Sequence, residues 1–151
     1  MLRLQVKYLS FFFGIISILS FFNIIYSYYL NLYLNLETYY ISLIISLIIS
    51  VIFYNIKIDK KKLSIFEKIL TVFAGYIIIP LILSIPFYFS IYNLTFLNSL
   101  FESVSGFTST GFTIIDNIKN IDQSLILWRS STQWIGGLYF LFSIIFLIDI
   151  Y

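Results

Sequence analysis

Cysteine and histidine are both absent from the 151 residues of this chain. Without cysteine there is neither a disulfide framework nor a thiolate metal site, and without histidine the commonest general base and metal ligand is missing. Serine, threonine and scattered carboxylates supply no nucleophile–base pair in their place, so the chain is not expected to be an enzyme and no cofactor is expected. Charge is scarce too: Asp, Glu, Lys and Arg make up 11% of the chain, where a soluble domain carries about 25%. The net charge of +2 is too small to point to a nucleic-acid partner.

What is abundant is apolar surface, with 60% hydrophobic residues and a mean hydropathy of +0.98. Such a chain must face lipid or other apolar helices. Four segments are long enough to cross a bilayer: about Tyr8 to Tyr29, Tyr39 to Ile56, Phe66 to Tyr92 and Leu125 to Ile150. Arg3 and Lys7 ahead of the first run resemble a signal peptide. The stretch from Phe21 to Leu36 is aromatic and Asn-rich rather than a small-residue cleavage site, so the segment reads as a retained span. Pro80 and Pro86 in the third segment each remove a backbone donor, which predicts a bend or loosened turn read as a packing kink. Ser42, Ser46 and Ser50 share one helix face and read as a close-packing stripe.

The cationic residues orient the spans. Arg3, Lys7, Lys57, Lys60, Lys61, Lys62 and Lys68 lie before the first segment or around the second connection, leaving only Lys119 and Arg129 elsewhere. By the positive-inside rule both termini are cytoplasmic, and the Leu30 to Thr38 loop and the 93–124 region face outward. A cysteine at Asn35 in that loop is then expected to be reachable from outside. Tyr28, Tyr29, Tyr33, Tyr39, Tyr40, Tyr88, Tyr92 and Trp128 would gather at the outer interface.

Between the third and fourth spans lies LTFLNSLFESVSGFTSTGFT, Leu94 to Thr113. About 12 helical residues at about 1.5 Å each reach roughly 18 Å, short of a hydrocarbon core of about 30 Å. A helix that dips in and returns as extended backbone places N–H and C=O groups at membrane depth, which is tolerated only within protein or beside a water-filled path. Asn93 or Thr95 can cap this helix, and its partly negative end near Ser105 favours a cation. Gly106 is expected to break it, with Thr108, Ser109, Thr110, Gly111, Phe112 and Thr113 extended beyond. Gly111 can adopt φ values that turn carbonyls toward a pore, where they replace the hydration shell of potassium. Gly106 and Gly111 have the spacing of a nucleotide phosphate loop, but Phe112 stands where that motif requires Lys. An ordinary polar loop satisfies the same composition, and residue types alone leave pore loop and plain loop both open.

FESVSGFTSTGFT (Phe101 to Thr113) followed by LWRSSTQWIGG (Leu127 to Gly137) resembles the first pore repeat of the Trk/Ktr/HKT superfamily of potassium transporters, in particular its bacterial Trk-type uptake subunits. The resemblance implies an all-α integral membrane fold. About four transmembrane helices would accompany one re-entrant pore helix and filter loop. Residues 1–62 would be an N-terminal helix pair with a Lys-rich connection, and 63–151 the first helix–pore loop–helix repeat. It also implies that Ser109, Thr110, Gly111, Phe112 and Thr113 form the filter strand, with potassium as the transported ion. Glycine rather than serine at position 111 goes with potassium preference in this family, and Thr113 stands where classical potassium channels have a second glycine.

Among the neighbours, Glu102 is expected to brace the filter from behind, and Arg129 to snorkel or pair with Asp116 or Asp122 rather than touch the ion. Gly106 and Thr108 support the loop, Gly136 and Gly137 allow close helix packing, and Trp128 and Trp134 serve as interface anchors or filter-side packing. In that family four such repeats surround one pore, two chains pair, and nucleotide-binding regulatory subunits attach from the cytoplasm. A single repeat supplies a quarter of a filter, so the remaining repeats or other chains are expected partners within the cell membrane. A fragment of a longer or split gene is preferred to a non-functional remnant, and that to a homotetramer. A small membrane interaction protein is the alternative reading.

Overall fold

The computed structural model describes residues 5–56, 64–115 and 121–148. Arg3, Lys57, Lys60, Lys61, Lys62, Asp116 and Lys119 lie outside them. The described chain is helical, with no strand among the described residues: α1 Val6–Tyr29, α2 Leu36–Asn55, α3 Ile65–Leu83, α4 Ile85–Tyr88, α5 Phe96–Phe107 and α6 Gln123–Ile148. Four helical stretches are long and apolar enough to cross a membrane: α1, α2, α3 together with α4 (Ile65–Tyr88), and α6. The expected all-α membrane fold is therefore observed, with the 12-residue α5 too short to be among the spans.

The start of α3 follows from local chemistry. Ser64 accepts the Glu67 N–H at 3.2 Å and Glu67 returns a bond to the Ser64 N–H at 3.0 Å, a reciprocal cap that satisfies two otherwise orphan donors. Pro80 is tolerated inside the helix. The chain loosens four residues later at Ser84, and Pro86 lies in the first turn of α4, where its missing N–H costs no bond. The two prolines thus yield one break, as the sequence predicts.

Helices α1 and α2 pair along small polar residues. Ser20 Oγ meets Ser42 Oγ at 3.2 Å, and Ser50 Oγ donates to the Ser10 carbonyl at 2.9 Å. Ser42 and Ser46 are fully buried, so the serine stripe is a packing seam that lets two backbones approach in an apolar setting.

One core draws from every helix: Phe12, Phe13 and Ile16 of α1, Tyr39 of α2, Ile79 of α3, Phe87 of α4, Phe107 of α5 and Trp128, Ile135 and Tyr139 of α6 are all buried. Tyr139 packs edge-on against Phe12 at 4.7 Å between ring centres, and its hydroxyl donates to the Val72 carbonyl at 2.8 Å. Tyr39 and Trp128, expected at the outer interface, are buried within the protein. Each carries a polar tip with a buried partner, Ser124 Oγ at 2.9 Å for Tyr39 and the Leu83 carbonyl at 3.1 Å for Trp128. That satisfaction frees both rings to be core residues.

Candidate functional site

Helix α5 spans 12 residues, about 18 Å at 1.5 Å per residue. Thr95, not Asn93, is its cap, accepting the Asn98 N–H at 3.3 Å. One face is buried through Ser99, Glu102, Ser103, Ser105 and Gly106, while Leu97, Phe101 and Val104 are exposed.

Gly106 does not break the helix. The helix runs on to Phe107 and ends at Thr108. Gly106 instead makes room for α6, since a β-carbon there would overlap the Thr132 hydroxyl. The turn is made by Ser109, whose N–H bonds the Gly106 carbonyl at 2.9 Å and whose φ is +56°. Gly111, at φ +78°, is the second left-handed position, and here the absence of a β-carbon removes the strain another residue would carry.

Ser105 organises the extended segment that follows. Its carbonyl accepts the N–H groups of Thr110 at 3.1 Å and Gly111 at 3.4 Å and the Thr110 hydroxyl at 3.1 Å. Its own hydroxyl donates to the Phe112 carbonyl at 2.6 Å. Glu102, fully buried, closes the far side: Oε1 accepts the Thr113 hydroxyl at 2.6 Å and the Ile114 N–H at 2.8 Å. A buried carboxylate needs such donors and a countercharge. Arg129 supplies the countercharge through Nε at 3.0 Å from Oε2.

Glu102 is a partner the sequence did not suggest for Arg129; of the two expected, Asp116 lies outside the described residues. Asp122 is occupied elsewhere, bonded to Asn35 and Ser124. The Arg129 side chain does not snorkel outward: it is 13% exposed, and Nη2 donates to the carbonyls of Gly111 at 3.2 Å and Phe112 at 3.0 Å. Those two carbonyls therefore face the guanidinium rather than open space: the single Nη2 serves both adjacent acceptors while Nε, fixed beside it in the same plane, reaches the carboxylate. The carbonyls of Ser109 and Thr110, both in exposed residues, accept no hydrogen bond among the described residues.

At the C-terminal end of α5 a cavity of about 400 Å³ opens beside Thr108 and Ser109, walled by Tyr76, Phe107, Gly136 and Phe140. Gly136 brings α6 against the backbone of Phe107, whereas Gly137 has nothing within 4 Å of a notional β-carbon. Among the described residues, the first of the pair is a packing glycine and the second meets no neighbour. Trp134 is 58% exposed.

Residues 109–113 are thus one segment held between Ser105, Glu102 and Arg129. Sequence reasoning missed Ser105 as an organiser and Thr132 as the neighbour that requires Gly106. The serine could have been suspected from its place in the last turn of α5, where carbonyls lack partners within the helix.

A family model described as a cation transport protein, TrkH, matches residues 35–150. An uncharacterized cation transporter of Methanocaldococcus jannaschii is 35% identical over 77 residues, which are 51% of this chain and 16% of that protein. The Trk system potassium uptake protein TrkG of Escherichia coli is 48% identical over 46 residues, 30% of this chain and 10% of that one. TrkI of Halomonas elongata, also a Trk system potassium uptake protein, is 42% identical over 60 residues, 40% and 11% of the two chains. No solved structure matches. The match to this chain spans about a tenth to a sixth of the length of these relatives. With a braced loop after a short helix between apolar spans and a family match covering most of its length, the chain belongs to the TrkH family of cation transport proteins.

Proposed function

We propose that this chain contributes one helix–pore loop–helix repeat to a potassium-conducting path, with Ser109, Thr110, Gly111, Phe112 and Thr113 as its share of the selectivity filter. The observation that carries the reading is the segment 109–113. It is pinned on one side by Ser105, Glu102 and Arg129, while the Ser109 and Thr110 carbonyls accept no bond among the described residues. Free carbonyls at the end of a short helix, in a protein of apolar spans, are ligands for a dehydrated cation. In this reading Ser109 and Thr110 face the ion, and the Gly111 and Phe112 carbonyls hold the segment to Arg129. The potassium-uptake names of the relatives favour potassium, as does glycine at position 111.

One loop cannot surround an ion, so further repeats or other chains complete the ring. The N-terminal pair, residues 1–62, flanks the repeat of 63–151. Both termini are cytoplasmic, and a nucleotide-binding regulatory subunit is the expected cytoplasmic partner.

The test is growth of a potassium-uptake-deficient bacterium on low potassium. The 151-residue chain alone is expected to fail, and the same chain joined to the later repeats of a Trk system uptake protein is expected to restore growth. Failure of the joined protein at normal membrane abundance would overturn the reading. Robust rescue by the chain alone, with cross-linked tetramers, would replace the partner repeats with copies of this chain.

A further inference from the structure

Asn35 stands directly before α2, where an Asn side chain ordinarily caps its own helix. It makes no such cap. Instead the fully buried side chain reaches across the fold: its amide donates to Asp122 Oδ2 at 3.1 Å and its carbonyl accepts the Ile91 N–H at 3.1 Å. Residues 91 and 122 are the two sides of the neck from which the re-entrant loop departs and to which it returns. The neck is also closed directly, by the Asp122 N–H donating to the Tyr92 hydroxyl at 2.6 Å. Asp122 in turn accepts the Ser124 hydroxyl at 2.6 Å, and Ser124 meets the buried Tyr39 hydroxyl of α2 at 2.9 Å.

We propose that Asn35 is a positioning residue that ties the α1–α2 pair to both sides of this neck and so sets where α5 and the segment after it sit. A local cap has been given up for two long-range bonds, 56 and 87 residues apart in sequence. A carboxamide is the side chain that can donate to a carboxylate and accept from a backbone N–H at once. Alanine makes neither bond, and aspartate sets a second carboxylate against Asp122. The helix pair thereby acts as a strut for the loop. Only the consequence for transport rests on the filter reading above.

The absence of native cysteine allows the test in the full chain in lipid nanodiscs. Spin labels at Tyr29→Cys on α1 and Leu97→Cys on α5 report the spacing across the neck, and labels at Ile18→Cys and Ile48→Cys report the α1–α2 pair alone; all four positions are exposed. With Asn35 intact the Tyr29–Leu97 distance distribution is expected to be narrow. Asn35→Ala and Asn35→Asp should broaden it at least twofold and leave the Ile18–Ile48 distribution unchanged. The exchange Asn35→Asp with Asp122→Asn restores a donor facing an acceptor, and should narrow the distribution again.

An unchanged width in Asn35→Ala, or an exchange variant as broad as Asn35→Asp, would overturn the proposal. So would broadening of both label pairs, which would make Asn35 a residue for helix-pair folding alone. No uptake is measured, so a negative result here leaves the cation reading standing, and failed complementation leaves this one standing.

Discussion

The carbonyl of Phe107 occupies the space where any residue but glycine at position 136 would carry its β-carbon. Because the obstacle is backbone, no side chain can rotate away. Gly136→Ala should therefore push α5 off α6 and destabilise the fold by about 1–3 kcal/mol, the usual range for forced overpacking. Denaturant titration in mild detergent measures this. Gly137→Ala is the matched control, with nothing within 4 Å of its added methyl, and is expected to be neutral or slightly stabilising.

Breaking the Glu102–Arg129 pair strands a buried charge. Arg129→Gln leaves the fully buried carboxylate with the Thr113 and Ile114 donors but without its countercharge. A loss of about 3–5 kcal/mol is expected in the same titration. Arg129→Lys should recover only part of it, since one ammonium cannot span Oε2 and both carbonyls.

Gly111→Ser tests the filter reading. No atom of the described residues lies within 4 Å of a β-carbon there, so the strain comes from φ +78° and is about 1–3 kcal/mol. In a complementing assembly the expected outcome is a lower preference for potassium over sodium at unchanged membrane abundance, read by competitive rubidium uptake. Ser46→Ala, remote on the α1–α2 seam, should leave uptake nearly unchanged. Wild-type selectivity in Gly111→Ser would remove residues 109–113 from the ion path.

Topology is checked by single-cysteine labelling. Asn35 is unsuitable for this, being 1% exposed and bonded on both sides, whereas its neighbour Leu34 is 66% exposed. Leu34→Cys should react with an impermeant maleimide in intact cells, and tags at either terminus should be protected. Labelling of Leu34→Cys only after permeabilisation would invert the orientation and with it the face from which the loop enters.

What could be read from the sequence was local or periodic. The 12-residue length of α5, its Thr95 cap and the break between Pro80 and Pro86 depend on neighbours within a few residues. The serine seam follows from helical period alone. What could not be read was pairwise and distant. Arg129 lies 27 residues from Glu102, and nothing in either local pattern prefers that carboxylate to Asp122. Gly106 looks like a helix stop because glycine so often is one, yet its reason lies across the interface in Thr132. Asn35 likewise looks like an exposed loop residue until its two remote partners are known.

The break at Ser84 has one more consequence. It leaves the Leu83 carbonyl within reach of the Trp128 indole, at 3.1 Å, deep in the core, while Trp134 points outward at 58% exposure. With two tryptophans in the chain, ultraviolet emission divides into a shielded and an accessible component. Brominated lipid should extinguish the Trp134 component and spare Trp128. A neighbouring repeat seated over α6 would shield Trp134 as well, so the fraction of light that lipid can quench becomes an optical gauge of assembly that needs no added dye.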